Sequence, residues 1–514
     1  MRALAGMSCI GLGAATVKPE AEALLEEPEG PGSDRHVGAG CPGSGPGPET
    51  GWLAWQDEVD DEALHRAGIR VSRRRIVSVG GGVGSFALVD MLRIVGMPSD
   101  DIAVLAQREL PHDALRDLLR SSQTADGDRM RSDSATRIDC AWGWPSYAMA
   151  EAWHTGSARP LIQVLAEPIF AEPFAPKPES VYRGMEREAH RIGWPSMLER
   201  GEALLVRRHA LGGYVILHRQ AGGGARVAYR ADHVHIAVGH AGPRWPLGAS
   251  GAPGGSRPGC MEVHAMEDHE RAYEVLAGRS RPVAVVRGNG MTAARVIQRL
   301  AEDRERLGIG TRIVHQVPAG LTGFALQPFT APRSAFGGPL HARLARIGPA
   351  ERARLVESIS RTTVPRRRSW RRLIARGERE GWYRLVSGPA LEDEEISGAD
   401  AVIDCTGLVS DPLAHPLLSD LVERGGARLN PMGFLDTGPA CDLVGMDSGS
   451  GRCYASGVAV TGGFIGPADS FWGLQAAALR ILDDLHRLEP GAYPKLGSLI
   501  SARGWWRWLK GSEP

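Results

Sequence analysis

Two stretches of this 514-residue chain share one form and limit what it can fold into. "RIVSVGGGVGSFALVDML" begins at Arg75, and "VAVVRGNGMTAARVIQRL" begins at Val283. Each is a short apolar run, a glycine-rich turn, and a segment whose apolar residues recur at helical spacing, which predicts strand, tight turn and helix. Such a turn exposes the first N–H groups of a helix, where the dipole also favours negative charge, so each is a candidate phosphate cradle. A lone glycine turn is a weak signal, because ordinary tight turns read the same way. Two of them, each followed by another buried strand, call for an α/β chain with two nucleotide-sized sites.

In the first turn, Gly80 allows the sharp exit from the strand, Gly82 lets backbone approach a pyrophosphate, and Ser85 is small enough for close helix–strand contact. The next strand, "DIAVLAQ", ends at Gln107, where such units usually carry an acid for the ribose hydroxyls. Gly288, Gly290 and Ala293 take the same places in the second turn, and the strand after it ends in His315-Gln316, again without an acid. An acid there would repel a 2′-phosphate. Its absence, with Arg287 and Arg312 nearby, favours NADPH over NADH. Solvated surface is an equal reading for arginines in a chain with only four lysines among its 60 basic residues.

Composition narrows the class. The formal net charge is zero, which leaves no general footprint for nucleic acid, and no apolar run is long enough to span a bilayer. The seven cysteines are odd in number and form no C-x-x-C pair. That pattern fits free thiols in a reducing cytoplasm, with no disulfide framework and no metal site. Residues 1–50 are rich in Gly, Pro and Glu and are expected to be a disordered extension. The remaining length suits two to three domains.

Between the two turns, "ALLVRRHALGGYVILHRQAGGGARVAYR" alternates around "LGG" and "AGGG", the pattern of an antiparallel β-meander. "ADHVHIAVGHAG" reaches Gly239 and "GADAVIDCTG" reaches Gly407, each reading as acid, apolar strand, small residue and Gly. The tail "GRCYASGVAVTGGFIGPADSFWGLQAAALRIL" holds a strand that ends at Gly457 and a helix that begins just after Asp469.

This succession of cradle, meander, return strand, second cradle, return strand and closing helix spans roughly residues 71–490. It resembles the two-dinucleotide flavoproteins. The missing C-x-x-C argues against their disulfide reductases. The Pro- and Phe-rich "FALQPFTAPRSAFGGPLHARL" interrupts the second nucleotide region, so the layout is most similar to single-component (class B) flavin monooxygenases, including the amine N-hydroxylating branch. One departure is Val458 after Gly457, where those proteins usually carry an acid.

The resemblance implies an α/β fold with two Rossmann-like dinucleotide-binding domains, one for FAD and one for NADPH. The FAD domain would be discontinuous, covering 51–255 and 401–514, with NADPH bound by 256–400. Gly80, Gly82, Ser85, Gln107, Gly239, Gly457 and Asp469 would meet FAD; Gly288, Gly290, Ala293 and Arg312 would meet NADPH. Trp142, Trp144 and Gln475 are candidates for the substrate or flavin wall, although dense tryptophan more often packs a core. Asp469 reads equally well as a helix N-cap. "GWWRWLKG" at 504–511 suits either a weak interface or partner contact, or docking onto its own fold. The implied activity is hydroxylation of a small metabolite, an amine among the candidates, with hydride from NADPH and oxygen carried as a flavin C4a-hydroperoxide. No local motif marks a catalytic acid or base. Two other readings stay open: an NAD(P)H-dependent flavin oxidase or reductase passing electrons to a quinone or carrier protein, and a non-catalytic nucleotide-binding module.

Overall fold

The apolar runs that lead into the two glycine turns become inner strands of two separate sheets. The computed structural model describes residues 56–124, 128–130, 137–140, 146–170, 174–245, 259–321, 323, 338–359, 368–388, 394–496 and 502–512. All of them belong to the unit Ser44–Pro514. The expected extension 1–50, most of the Pro- and Phe-rich segment, and Trp142 and Trp144 lie outside the described residues.

The strands are β1 (Glu58–Val59), β2 (Arg70–Val79), β3 (Ile102–Ala106), β4 (Leu198–His209), β5 (Tyr214–Gln220), β6 (Arg226–Ile236), β7 (Met261–His264), β8 (Val283–Arg287), β9 (Arg312–Val317), β10 (Tyr383–Ser387), β11 (Ala401–Asp404) and β12 (Cys453–Ala455). The first sheet runs β1-β4-β3-β2-β6-β12, with β5 paired to both β4 and β6. Within it β3, β2, β6 and β12 are parallel, and β4-β5-β6 form the antiparallel meander. The second sheet, β10-β9-β8-β11-β7, is parallel throughout. Its inner strands β8 and β11 are buried on both faces, which is why "VAVV" and "AVID" read as continuous apolar runs rather than alternating ones.

Two details differ from the sequence reading. The last meander strand and the first return strand are a single strand, β6. It has partners on both edges: β5 antiparallel from Tyr214↔Ala231, and β2 parallel from Arg70↔Val227 to Val79↔Ile236. The β2 ladder runs past the end of the β5 ladder at Ala231, which carries the strand on to Ile236. Strand β11 lies inside the second sheet, between β8 and β7, beyond the boundary expected at residue 400.

Helix Val83–Ile94 and the closing helix Phe471–Leu488 share one core on the first sheet, with Phe86, Val89, Leu92, Ile481 and Leu485 fully buried. Burial of each such side chain stabilises the fold by about 1.5–3 kcal/mol. Helix Met291–Arg306 covers the second sheet through Val296, Ile297 and Leu300, against Ala284, Val286 and Ile403. Among the described residues no helix is long and apolar enough to cross a membrane.

The Trp-rich tail forms helix Ala502–Lys510 and turns inward rather than offering its core tryptophan to a partner. Trp508 is 2% exposed and donates through Nε1 to the Asp139 carbonyl at 3.0 Å. The Arg137 and Arg187 guanidinium groups lie over its ring at 5.1 and 4.3 Å. Arg137 is itself paired with buried Asp139, so the indole closes a ring–cation cluster that water would otherwise enter. Of the readings left open for this tail, docking onto its own fold is the one Trp508 makes.

Candidate functional site

At the end of β2 the chain turns in a space that only glycine fits. Gly80 has φ +132°, and a Cβ there would stand 2.1 Å from the Ala237 carbonyl oxygen. Gly81 has φ +67°, and its Cβ would stand 2.2 Å from Ala106 Cβ. The turn is thus wedged between the ends of β3 and β6. Gly82 is different: φ is −86°, the backbone is extended, and a Cβ would meet nothing within 4 Å. Gly82 is also the N-cap of helix Val83–Ile94, which has no side-chain cap and no acid in its first turn. Open space therefore coincides with uncapped N–H groups, as an anionic ligand needs.

Gly84 packs as closely at the start of the same helix. A Cβ there would approach Ser456 Oγ at 3.1 Å, Ala237 Cβ at 3.3 Å and Leu474 Cδ2 at 3.4 Å. Ser85 points inward and is fully buried, accepting hydrogen bonds from Ser78 Oγ at 2.8 Å and from the Gly81 N–H at 3.2 Å.

Because β3, β2, β6 and β12 are parallel, their C-terminal ends share one edge of the sheet, where open α/β sheets bind ligands. Gln107 is exposed just past β3, Gly239 (φ +78°) follows β6, and Gly457 (φ +81°) follows β12. The closing helix begins at that edge, since Leu474 Cδ2 would lie 3.8 Å from a Cβ on Gly457. Its N-cap is Ser470, which accepts from the Gly473 N–H at 3.0 Å and donates to the Pro467 carbonyl at 2.9 Å. The capping role considered for Asp469 thus falls to its neighbour. Asp469 is exposed. Gln475 donates to the Arg137 carbonyl, which ties the first turns of the closing helix to the segment before Trp142.

The second turn repeats the plan with different residues. Gly288 has φ +122°, and a Cβ would stand 2.5 Å from the Cys405 carbonyl oxygen. Gly290 is the extended N-cap of helix Met291–Arg306, again without a side-chain cap or a first-turn acid, and Ala293 is fully buried. His315, on β9, lies beneath the turn with Nε2 2.6 Å from the Gly288 carbonyl and Nδ1 2.7 Å from the Tyr383 hydroxyl. Burial pushes its pKa down to about 4, so the ring is neutral at physiological pH. A carbonyl only accepts, so Nε2 carries the hydrogen and Nδ1 accepts from Tyr383.

Arg312 is not at this turn. It starts β9, opposite Val283 at the N-terminal edge of the sheet, and pairs with Glu395 at 2.7 Å. Arg287 and Gln316 are at the correct edge and bind each other at 3.2 Å, while Arg287 also pairs with Glu262 at 2.6 Å.

The two edges are joined by a short ribbon. Ala241 donates to the Val409 carbonyl (3.2 Å), Val409 to Gly242 (2.8 Å) and Arg244 to Gly407 (2.9 Å). The segments leaving β6 and β11 therefore pair antiparallel through Pro243↔Leu408. Ala237, which wedges Gly80, and Cys405, which wedges Gly288, are the first residues of those two segments. Each cradle thus abuts one end of the same ribbon.

Helices Gly338–Leu344 and Pro349–Ile359, inserted between β9 and β10, bring residues that no local motif marked. The His341 ring lies 4.5 Å from that of Trp472 at the start of the closing helix, and the Arg352 guanidinium lies 3.6 Å over Phe464. Burial and the nearby Arg480 charge push the His341 pKa down to about 4. A cavity of about 540 Å³ lies elsewhere, lined by Gln123, Asp128, Arg295 and Arg299 among others. Its walls are already tied to each other, Arg295 to Asp128 at 2.6 Å and Arg299 to Asp303 at 2.9 Å, so the glycine turns are the better candidate site. Burial also raises the pKa of Cys405 well above its usual value and those of Cys441 and Cys453 to about 12, which leaves these thiols unreactive.

No family model and no curated protein sequence matches this chain. Solved structures do match its fold. The FAD-bound cadaverine monooxygenase DfoA of the desferrioxamine biosynthetic pathway of Erwinia amylovora is 14% identical, covers 83% of this chain and 96% of its own, and superposes with a TM-score of 0.60. The ornithine N-hydroxylase KtzI of Kutzneria sp. 744, with reduced FAD, NADP+ and L-ornithine, is 15% identical over 81% of this chain and 99% of its own, with a TM-score of 0.58. The reduced ornithine hydroxylase PvdA of Pseudomonas aeruginosa is 15% identical over 81% of this chain and 100% of its own, with a TM-score of 0.56. The chain therefore has the fold of these flavin monooxygenases, a mixed α/β architecture with parallel and antiparallel sheets.

Proposed function

We propose that this protein is an FAD-dependent oxidoreductase that takes hydride from NADPH and uses oxygen to hydroxylate a small amine. The observation that carries the reading is the ribbon. Two uncapped glycine turns at the C-terminal ends of parallel strands in two sheets are wedged by residues just before the two ribbon segments, Ala237 four positions before Ala241 and Cys405 two positions before Gly407. That arrangement sets two dinucleotide regions edge to edge, as hydride transfer between two bound rings needs. The similarity in fold to amine N-hydroxylating enzymes supports the choice of reaction and substrate class.

In this reading both regions are Rossmann-like. Gly82, with the free N–H groups of Val83–Ile94, holds the FAD pyrophosphate, and Gly239, Gly457 and the start of the closing helix face the rest of the cofactor. The chain supplying these contacts is discontinuous, ending near Trp245 and resuming after Asp404. Gly290 and the start of Met291–Arg306 hold the NADPH pyrophosphate. Gln316, the next-to-last residue of β9, brings no negative charge, which suits a 2′-phosphate. Bound flavin supplies the hydride and oxygen chemistry; the chain binds, orients and excludes water. Trp472, covered by His341, forms an apolar wall beside the start of the closing helix.

The purified protein should be yellow and lose that colour on adding NADPH under nitrogen. Readmitting oxygen with a panel of primary amines should give amine-dependent hydroxylated product, with less hydrogen peroxide than NADPH consumed. Peroxide equal to NADPH with every amine would replace this reading with an oxidase, and no bleaching would remove the NADPH assignment.

A further inference from the structure

Four buried polar residues under the first turn form a chain that runs over two strands, a helix and the residue after a third strand. Ser78 ends in β2, Ser85 sits in helix Val83–Ile94, His235 lies in β6, and Ser456 follows β12. Ser78 Oγ donates to Ser85 Oγ at 2.8 Å, His235 Nδ1 lies 2.9 Å from Ser78 Oγ, and His235 Nε2 lies 2.9 Å from Ser456 Oγ. The exposure of all four is 3% or less.

The hydrogens in this chain have one consistent order. The Ser78 hydroxyl donates its hydrogen bond to Ser85, so its oxygen is left to accept from Nδ1–H. The ring is neutral, because burial pushes its pKa down to about 3, so Nε2 accepts from the Ser456 hydroxyl. Ser85 Oγ also receives the Gly81 N–H at 3.2 Å. An unbroken path therefore runs from the residue before Gly457 to the backbone of the glycine turn.

We propose that His235 is a positioning residue for the flavin nucleotide, holding the Gly457 turn in register with the Gly80–Gly82 turn. The inference rests on the reading of the first cradle as the FAD site. β2 and β12 never pair with each other, because β6 lies between them. Their ladders to β6 end at Val79↔Ile236 and Ala455↔Ile236. Beyond those pairs no strand ladder among the described residues joins the two turns, and the serine–histidine chain is a buried side-chain link that spans from one to the other. A dinucleotide touching both turns binds tightly only if their spacing is fixed before it arrives, since ordering them on binding would weaken affinity.

The test uses the full-length holoprotein and reads FAD release on dilution, by regain of flavin fluorescence, beside the melting temperature in saturating FAD. Ser456→Ala and His235→Leu should each release FAD about tenfold faster, the effect of losing one buried hydrogen bond in an ordered chain. In the His235→Leu background, Ser456→Ala should add nothing, because the path is already cut. Release at the wild-type rate in Ser456→Ala would overturn the proposal, as would effects that multiply independently in the double variant. If His235→Leu fails to fold, Ser456→Ala and Ser78→Ala decide alone. A wild-type protein that binds no FAD would instead remove the first-cradle reading on which the proposal stands.

Discussion

Gly82→Val separates the ligand's need for glycine from the fold's need. The Gly82 backbone is extended, at φ −86° and ψ −164°, which any residue adopts, and its Cβ would meet nothing within 4 Å. In the folded protein the side chain causes no clash. Restricting the unfolded chain stabilises by roughly 0.4–1 kcal/mol, and a poorer N-cap costs a few tenths to about 1 kcal/mol, so the net change in stability is within about 1 kcal/mol of zero. Bound pyrophosphate would lose its approach to about two charge-assisted N–H contacts, each contributing roughly 1.5–3 kcal/mol, so FAD affinity should fall at least about a hundredfold. Gly80→Ala is the contrast. Its Cβ would stand 2.1 Å from the Ala237 carbonyl at φ +132°, and the expected loss of stability is about 3–5 kcal/mol. Urea denaturation of both variants without added FAD, with a fluorescence titration of FAD, gives the comparison. Wild-type FAD affinity in Gly82→Val would refute the placement of the pyrophosphate. Destabilisation of Gly82→Val to the level of Gly80→Ala would refute the claim that the space is open.

Other expectations follow from the same geometry. Gly290→Val should abolish reduction by NADPH while FAD stays bound, checked by anaerobic bleaching and flavin content; loss of FAD instead would exchange the two cradles. Arg312→Ala should leave the Kd for NADP+ within about twofold of wild type by calorimetry, because exposed ion pairs of this kind contribute about 0–1 kcal/mol and this one lies at the far edge of its sheet. His235 and His315, with pKa values near 3 and 4, should show no ring titration between pH 8 and pH 5 by NMR of labelled histidine. Their unfolded forms gain a proton below about pH 6.5 and the folded forms do not, so stability is complete above that pH and declines below it. The decline should reach roughly 3 kcal/mol per ring by pH 4, followed as melting temperature against pH. Trp508→Ala should cost about 3–5 kcal/mol by urea denaturation, as expected for a fully buried indole that closes the Arg137–Asp139 pair.

The order of the main elements was legible in the sequence: two strand–turn–helix units, the meander running into the first return strand, the second return strand and the closing helix. The sequence also placed glycine at Gly80 and Gly288, because positive φ and close backbone approach are local demands written in single residues. The tertiary structure decided what those elements do for one another. Ser470 and not Asp469 caps the closing helix, because hydroxyl reach in a particular turn settles that choice. Gly84 adds a tight contact that no spacing marked, because its partners Ala237, Ser456 and Leu474 come from three distant segments. Arg312 stands at the wrong edge, because strand direction decides which end of β9 meets the turn. The ribbon at 241–244 and 406–409, the chain from Ser78 to Ser456 and the seat of Trp508 leave no trace in the sequence. Each joins residues more than 150 positions apart, and spacing along the chain carries no record of the sheet order that brings them together.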